Sequence, residues 1–296
     1  MTPSRRHAVA SMALALVLGG AFDAARAQGV AALQAKRIAL TPALNSSAFQ
    51  RPLVLESVQN AGDLQGDIYA VIEQPYGVLL GALGTAAHWC DLLMLHLNVK
   101  NCQVSGPASH PVVDLSVGRK FDQPLDDAYQ LAFDFATTAA TPEYLRVQMT
   151  APQGPLGTED YRLSLEAVPA DDRHAFVHLA YAYGYGMVAR IAMQAYLATA
   201  GHDKVGFSVV GRDGDGQPQY VGGVRGVLER NTMRYFLAIE AYLNALGLPA
   251  SQQAEQRLQD WFTAVERYPR QLHEQSRAEY LAMKRSEIHR QQANAK

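Results

Sequence analysis

The chain has 296 residues, of which 48% are hydrophobic and 18% charged, with a formal net charge of −2. That composition supports a packed core and excludes a disordered chain. A slightly acidic balance without a basic block also excludes the electrostatic footprint that nucleic acid requires.

Residues 1–27 read as a targeting segment. Arg5 and Arg6 precede a short apolar run, and Ala25-Arg26-Ala27 gives an A-x-A cleavage signal before Gln28. The run is about fourteen residues long, short of the roughly twenty needed to span a membrane, and nothing later in the chain is better suited. Ser4-Arg5-Arg6-His7 leaves twin-arginine export open beside general secretion. Cleavage removes Arg5, Arg6 and Arg26 but only one acid, Asp23, so the mature chain carries −4. The expectation is a periplasmic protein. In an oxidising compartment the only two cysteines, Cys90 and Cys102, pair by default. Closing so short a loop contributes about 2–3 kcal/mol. Two buried free thiols are the alternative.

After a start without clear periodicity, 53–58 and 67–73 read as two strands around Asn60-Ala61-Gly62-Asp63. Pro75 then opens a helical stretch over 76–97 that breaks near Gly84. From 112 to 185 the apolar residues recur at every second position. They run through Val113, Leu115, Val117 and Phe121, then Leu131, Phe133 and Phe135, and on to Leu163 and Leu165. A period of two puts them on one face of a sheet. Five long strands joined by short turns predict an antiparallel meander with one apolar face that something must cover.

A helix over 187–199 leads to a strand pattern at Val205, Phe207 and Val209, and Asp213-Gly214-Asp215-Gly216 turns into Tyr220-Val221. A long amphipathic helix over 224–246 follows, with Leu228, Tyr235, Ile239, Tyr242 and Leu246 as its inward stripe. Gly247 and Pro249 stop it. The remainder, 251–296, changes character. Trp261 and Phe262 sit on one helical stripe, and beyond Pro269 the sequence is rich in Gln, Arg, Lys and Glu. It reads as a helical extension packed on a domain over 28–250 through Trp261 and Phe262, with a solvated tail.

Two strands, a helical pair, an antiparallel meander and a long late helix form a helix-grip α+β arrangement. The residues Gly66-Asp67-Ile68-Tyr69-Ala70-Val71-Ile72, Pro75 and the helix to Trp89 carry it, with Val221-Gly222-Gly223-Val224-Arg225-Gly226 running into the late helix. This order resembles the START-like (SRPBCC-type) superfamily over about 53–246. The resemblance implies a curved antiparallel sheet closed by the long helix over an apolar cavity. The helix and strand pair over 187–221 depart from the simplest version of that pattern.

In the strand 176–185, His178, Ala180, Ala182 and Gly184 occupy one face and Tyr181, Tyr183 and Tyr185 the other. One reading makes the tyrosines a ligand wall, joined by Trp89, Phe133 and Tyr235; the other packs a helix on the small face and leaves the tyrosines half-exposed. Arg230 and Arg234, one turn apart, call for an anionic partner. That partner is a ligand head group or an internal acid, with Glu73 and Asp134 as candidates. His88, Asp91 and His96 form the richest polar cluster of the helical stretch. His88, Asp91 and His178 are the only candidates for acid–base work, and no third ligand makes a metal site of them. Asp213 and Asp215 match half a calcium loop without its closing acid, so a hairpin turn is the simpler reading.

No nucleophile elbow, zinc-protease helix or phosphate loop is present, and no cofactor is implied. Three functions remain open. The first is a carrier of a hydrophobic small molecule such as a lipid. The second is a cyclase- or hydrolase-like enzyme in the same cavity. The third is an envelope protein that docks a partner through its C-terminal helices.

Overall fold

The computed structural model describes residues 8–198 and 203–294. Arg5-Arg6 and Thr199 lie outside the described residues. The first helix, α1 (Ala8–Asn45), runs through the expected cleavage junction. Sequence periodicity left its second half unassigned. That half lies across the outer face of the sheet, where Leu33 and Leu44 are buried against Tyr144, Val168 and Phe176. Gly29 is needed there, because a Cβ would sit 2.8 Å from the Tyr144 hydroxyl oxygen.

β1 (Leu53–Asn60) and β2 (Asp63–Ile72) form the expected hairpin. α2 (Tyr76–Leu83) and α3 (Ala86–Leu93) break at Gly84. β3 (Val99–Ser105) escaped the sequence reading because Lys100, Asn101 and Gln103 interrupt its alternation. The meander then follows as β4 (Val112–Val117), β5 (Tyr129–Ala140), β6 (Leu145–Gln153), β7 (Thr158–Pro169) and β8 (Ala175–Tyr185). β4 stops short of Phe121, which is exposed. All eight strands join one antiparallel curved sheet in the order β1-β2-β8-β7-β6-β5-β4-β3.

Next come α4 (Met187–Ala198) and a small hairpin of β9 (Val209–Arg212) and β10 (Pro218–Tyr220). The expected strand at 205–209 forms only from Val209. The Glu229 carboxylate accepts the amides of Phe207 (2.6 Å) and Ser208 (2.9 Å), holding that segment as a loop against α5 (Gly223–Asn244). α6 (Ala250–Val265), α7 (Pro269–Leu272) and α8 (Arg277–Asn294) complete the chain.

Strand register places Ser57, Gly66, Tyr181, Leu163, Met149 and Phe135 in one row across the inner face. α5 lies over that face, with Leu228, Met233, Phe236, Leu237 and Ile239 fully buried against it. This is the helix-grip fold. Its roof comes close to the sheet at Gly66, where a Cβ would meet Thr232 Oγ1 at 2.6 Å.

The extension packs on the sheet domain through Trp261 and Phe262, as expected, but α8 is no solvated tail. Leu258, Trp261, Tyr280, Leu281 and Met283 belong to the same hydrophobic cluster as the sheet. Trp261 stacks on Tyr280 at 5.0 Å and donates its indole N–H to the Arg234 carbonyl at 3.1 Å. Lys284 and Glu287 are fully buried with Lys100 of β3. Glu287 takes Lys100 at 2.9 Å and Lys284 at 2.5 Å. Lys284 also donates to the carbonyls of His96 (3.1 Å) and Val99 (2.7 Å). Burial, opposed by Glu287, pushes the Lys284 ammonium down to about 8. Charge on α8 looked solvated in sequence because its partners are nearly 190 positions away.

Two outcomes test this packing. Glu287→Ala leaves two ammonium groups buried beside each other, and denaturant unfolding should show a loss of about 3–5 kcal/mol; a loss below about 1 kcal/mol would remove the cluster from the core. Gly66→Ala should cost about 1–3 kcal/mol by overpacking. Thr232→Ala should restore much of that in the double variant, so additive costs would mean the two residues do not set the roof height.

Candidate functional site

The alternation of β8 sends Tyr181, Tyr183 and Tyr185 to the inner face, under α5, and His178 to the outer one. Tyr161 of β7 stacks on Tyr183 at 5.3 Å, and Phe133 of β5 meets Tyr161 edge-on at 6.1 Å. Tyr235 of α5 closes on Tyr181 at 5.1 Å, and their hydroxyls are hydrogen-bonded. The Tyr161 hydroxyl donates to Thr158 Oγ1 at 2.9 Å. Burial raises all four phenols above their usual value, so each stays a neutral hydroxyl. The Tyr185 hydroxyl accepts from Gln59 at the edge of the cluster.

Side chains at this end keep slightly more exposure than those under the middle of α5. Tyr235 touches Tyr181 and the core, yet it is only half-buried, as is Asn231 one turn earlier. Phe133, Tyr161, Tyr181 and Tyr185 each keep a little exposure, whereas Leu228, Phe236 and Ile239 on the same roof keep none. His96, in the turn after α3, stacks on the other side of Tyr235 at 4.9 Å. Burial, with Arg234, Lys284 and Lys120 nearby, holds the His96 imidazole well below its usual range, hence neutral. Sequence spacing placed His96 on one helix with His88; the helix ends at Leu93 and the turn carries it inward.

The two arginines find internal partners. Arg234 donates to Glu274 at 2.7 Å and to the Leu272 carbonyl at 3.2 Å. Glu274 also takes Lys120 at 2.6 Å, so this anion, rather than Glu73 or Asp134, serves Arg234. Both of the latter are exposed. Although burial opposes it, Arg234 and Lys120 keep the Glu274 carboxyl below its usual value. Arg230 is buried and donates to the Val205 carbonyl at 3.3 Å.

His88, Asp91 and His178 do not converge. His88 Nδ1 lies 2.6 Å from the Ala82 carbonyl, and Asp91 pairs with Arg257 of α6 at 2.9 Å. Trp89 between them is fully buried with its N–H on the Leu83 carbonyl at 2.8 Å. The Cys90–Cys102 bridge has formed, with Cα atoms 5.3 Å apart, and ties α3 to β3.

His178 sits on the outer face. Its Nε2 is 2.8 Å from Asp67 and its Nδ1 3.1 Å from Glu166, with the Tyr69 ring stacked 4.3 Å away. The Tyr144 hydroxyl donates to Glu166 as well. Burial opposes protonation, but the two carboxylates outweigh it and raise the His178 value. Glu166 is correspondingly held low by His178 and Tyr144 against its own burial.

A separate groove of about 850 Å³ runs along the outer flank of α5, lined by Phe49, Arg51, Glu240, Asp260, Arg267 and Tyr268. It includes none of the ligand-wall residues expected from sequence.

No family model matches the chain, and no curated protein matches it. Solved structures are similar in arrangement. Truncated norcoclaurine synthase from Thalictrum flavum shares 14% identity over 47% of this chain and 87% of its own, with a TM-score of 0.33. An aromatase/cyclase from a Streptomyces species shares 8% identity over 70% of this chain and 95% of its own, at a TM-score of 0.32. A Thermobifida fusca protein shares 18% identity over 57% and 93%, at 0.30.

The outer cluster makes a pH prediction. A raised folded-state value for His178 means that its contribution is complete below the unfolded value of about 6.5 and fades as pH rises through the folded one. Urea midpoints of the protein and of His178→Gln should therefore differ most at pH about 6 and converge on going alkaline. A gap that stays constant with pH would show that the cluster does not titrate this way.

Proposed function

We propose that this is an exported, periplasmic protein that holds a hydrophobic small molecule, such as a lipid, between α5 and the tyrosine-lined end of the sheet. One observation carries the reading: Tyr235 of α5 faces inward onto Tyr181 and His96 yet keeps partial exposure, so the aromatic cluster under the helix reaches the surface at this end. Phe133, Tyr161, Tyr181 and Tyr183 supply the facing aromatic surface. Such rings offer broad apolar area, and their hydroxyls give a few oriented polar contacts. Removing apolar ligand surface from water contributes roughly 25 cal/mol per Å², so affinity needs no special motif. The disulfide suits export, being the usual state of a cysteine pair in an oxidising compartment.

The two other readings have less support. An enzyme built on His88, Asp91 and His178 lacks a shared pocket for them. A docking arm from residue 251 onward would have to be separable, yet Trp261 and Tyr280 complete the core.

Mass spectrometry of organic extracts from the purified exported protein should find co-purified hydrophobic material. In a titration of stripped protein, N-phenylnaphthylamine should bind at one site per chain. Tyr181→Leu and Tyr235→Leu should each weaken it by about tenfold, or ~1.4 kcal/mol. Binding that is unaffected by both changes would place the ligand elsewhere, the α5 flank groove being the first alternative.

A further inference from the structure

The groove on the flank of α5 has the size of a ligand site, about 850 Å³, and shares no residue with the tyrosine wall. Glu240 and Ala241 of α5 form its floor. The loop before β1 and the end of β2 make one wall, and α6 with the turn after it makes the other. The middle is a completed structural contact. Arg51 donates to both carboxylate oxygens of Glu240, one of them at 2.7 Å, and its guanidinium lies over the Phe236 ring at 5.4 Å. Phe49 and Tyr268 brace one end, with ring centroids 5.9 Å apart and the Tyr268 hydroxyl donating to the Phe49 carbonyl at 3.4 Å. The lip is strained, since Gln50 holds a φ of 57°, a region that residues other than glycine rarely adopt.

The other charges of the lining are not absorbed by the fold. Glu73 and Arg267 are exposed, and among the described residues neither side chain makes a hydrogen bond or an ion pair. Asp260 is half-buried and accepts the neutral amide of Gln256 at 2.8 Å. Asp260 and Arg267 stand seven positions apart, with Thr263 and Ala264 between them on the groove side of α6. The Ala264 carbonyl accepts the Arg267 amide at 3.3 Å, so the helical path carries on to Arg267. At 1.5 Å per residue the acid and the base are about 10 Å apart along the axis, too far to pair with each other. Glu73 faces them from the end of β2 and adds a second negative charge.

We infer that this groove binds a short peptide with free ends, about three residues long, its ammonium group held at Asp260 with Glu73 opposite and its carboxylate at Arg267. An extended chain spans at most about 3.3–3.6 Å per residue, so three residues cover about 10 Å and a single amino acid cannot reach both ends. A guanidinium fork takes a carboxylate through two parallel N–H bonds, which suits Arg267 to the C-terminal end. The reverse direction would set like charges together. Between the two ends Ala241 and Ala264 leave room for side chains, so the site selects length and free termini rather than sequence.

Calorimetric titration of the full chain with trialanine should show one site per chain, and alanine itself should not bind. Acetylating the N-terminus of trialanine, or amidating its C-terminus, should each weaken binding by about tenfold, the loss expected for one charged hydrogen-bonding partner. Arg267→Gln should weaken trialanine to a similar degree yet leave the amide, which has no carboxylate, as in the parent. Asp260→Asn should spare the N-acetyl peptide in the same way. These pairings separate recognition from damage to the fold, because a distorted groove would weaken every peptide alike. Trialanine that fails to bind, a blocked peptide that binds as tightly as the free one, or variants that weaken free and blocked peptides equally would each overturn the inference. None of these outcomes bears on the tyrosine-lined site.

Discussion

The height of α5 above the sheet governs the interior. An alternating face of Ile68, Leu179, Leu165 and Val147 cannot remain in water, so a helix must cover it, and α5 does so through its fully buried side chains. Thr232 of the helix rests on the bare backbone of Gly66, a contact that leaves no room for a Cβ. Beside that contact the inner face turns aromatic, with Tyr181 and Tyr183 of β8, Tyr161 of β7 and Phe133 of β5 in one cluster. There the Tyr235 ring of α5 rests edge-on against Tyr181, and Tyr235 keeps partial exposure.

The C-terminal helices acquire a role from the same geometry. α8 meets the edge strand β3 through Lys100, Lys284 and Glu287, which have no accessible surface. Two cations on one carboxylate are tolerable because backbone carbonyls of Leu97, His96 and Val99 accept the remaining protons. Those carbonyls belong to the turn that carries His96. The turn that carries His96 and the helix that read as a solvated tail are therefore packed as one unit.

The outer face of the sheet is a second, independent arrangement. α1 covers its aliphatic end, and the Asp67–His178–Glu166 cluster lies beside that contact with Tyr69 and Tyr144. Among the described residues nothing links it to His88 or Asp91, which join α3 to neighbouring backbone and to α6. Three residues that looked like one acid–base set are three structural solutions to separate burial problems.

Period-two and period-three-to-four patterning is a local property, so the meander, the α2–α3 break at Gly84 and the long α5 were legible in the sequence. So was the Cys90–Cys102 pair, whereas parity put Tyr181 and Tyr183 on one face of β8 without deciding that this face points inward. What the sequence left undecided depended on partners far along the chain. β3 lost its pattern to Lys100, whose charge is explained only by Glu287 of α8. Arg234 needed Glu274, 40 positions on, and His96 needed the Asn98 amide and the Tyr235 ring. Hydrophobic spacing tells which side of an element is buried, because that is a property of one segment against water. Which buried polar group is satisfied, and which is left waiting, is set by where other segments place their atoms, and only the folded chain decides that.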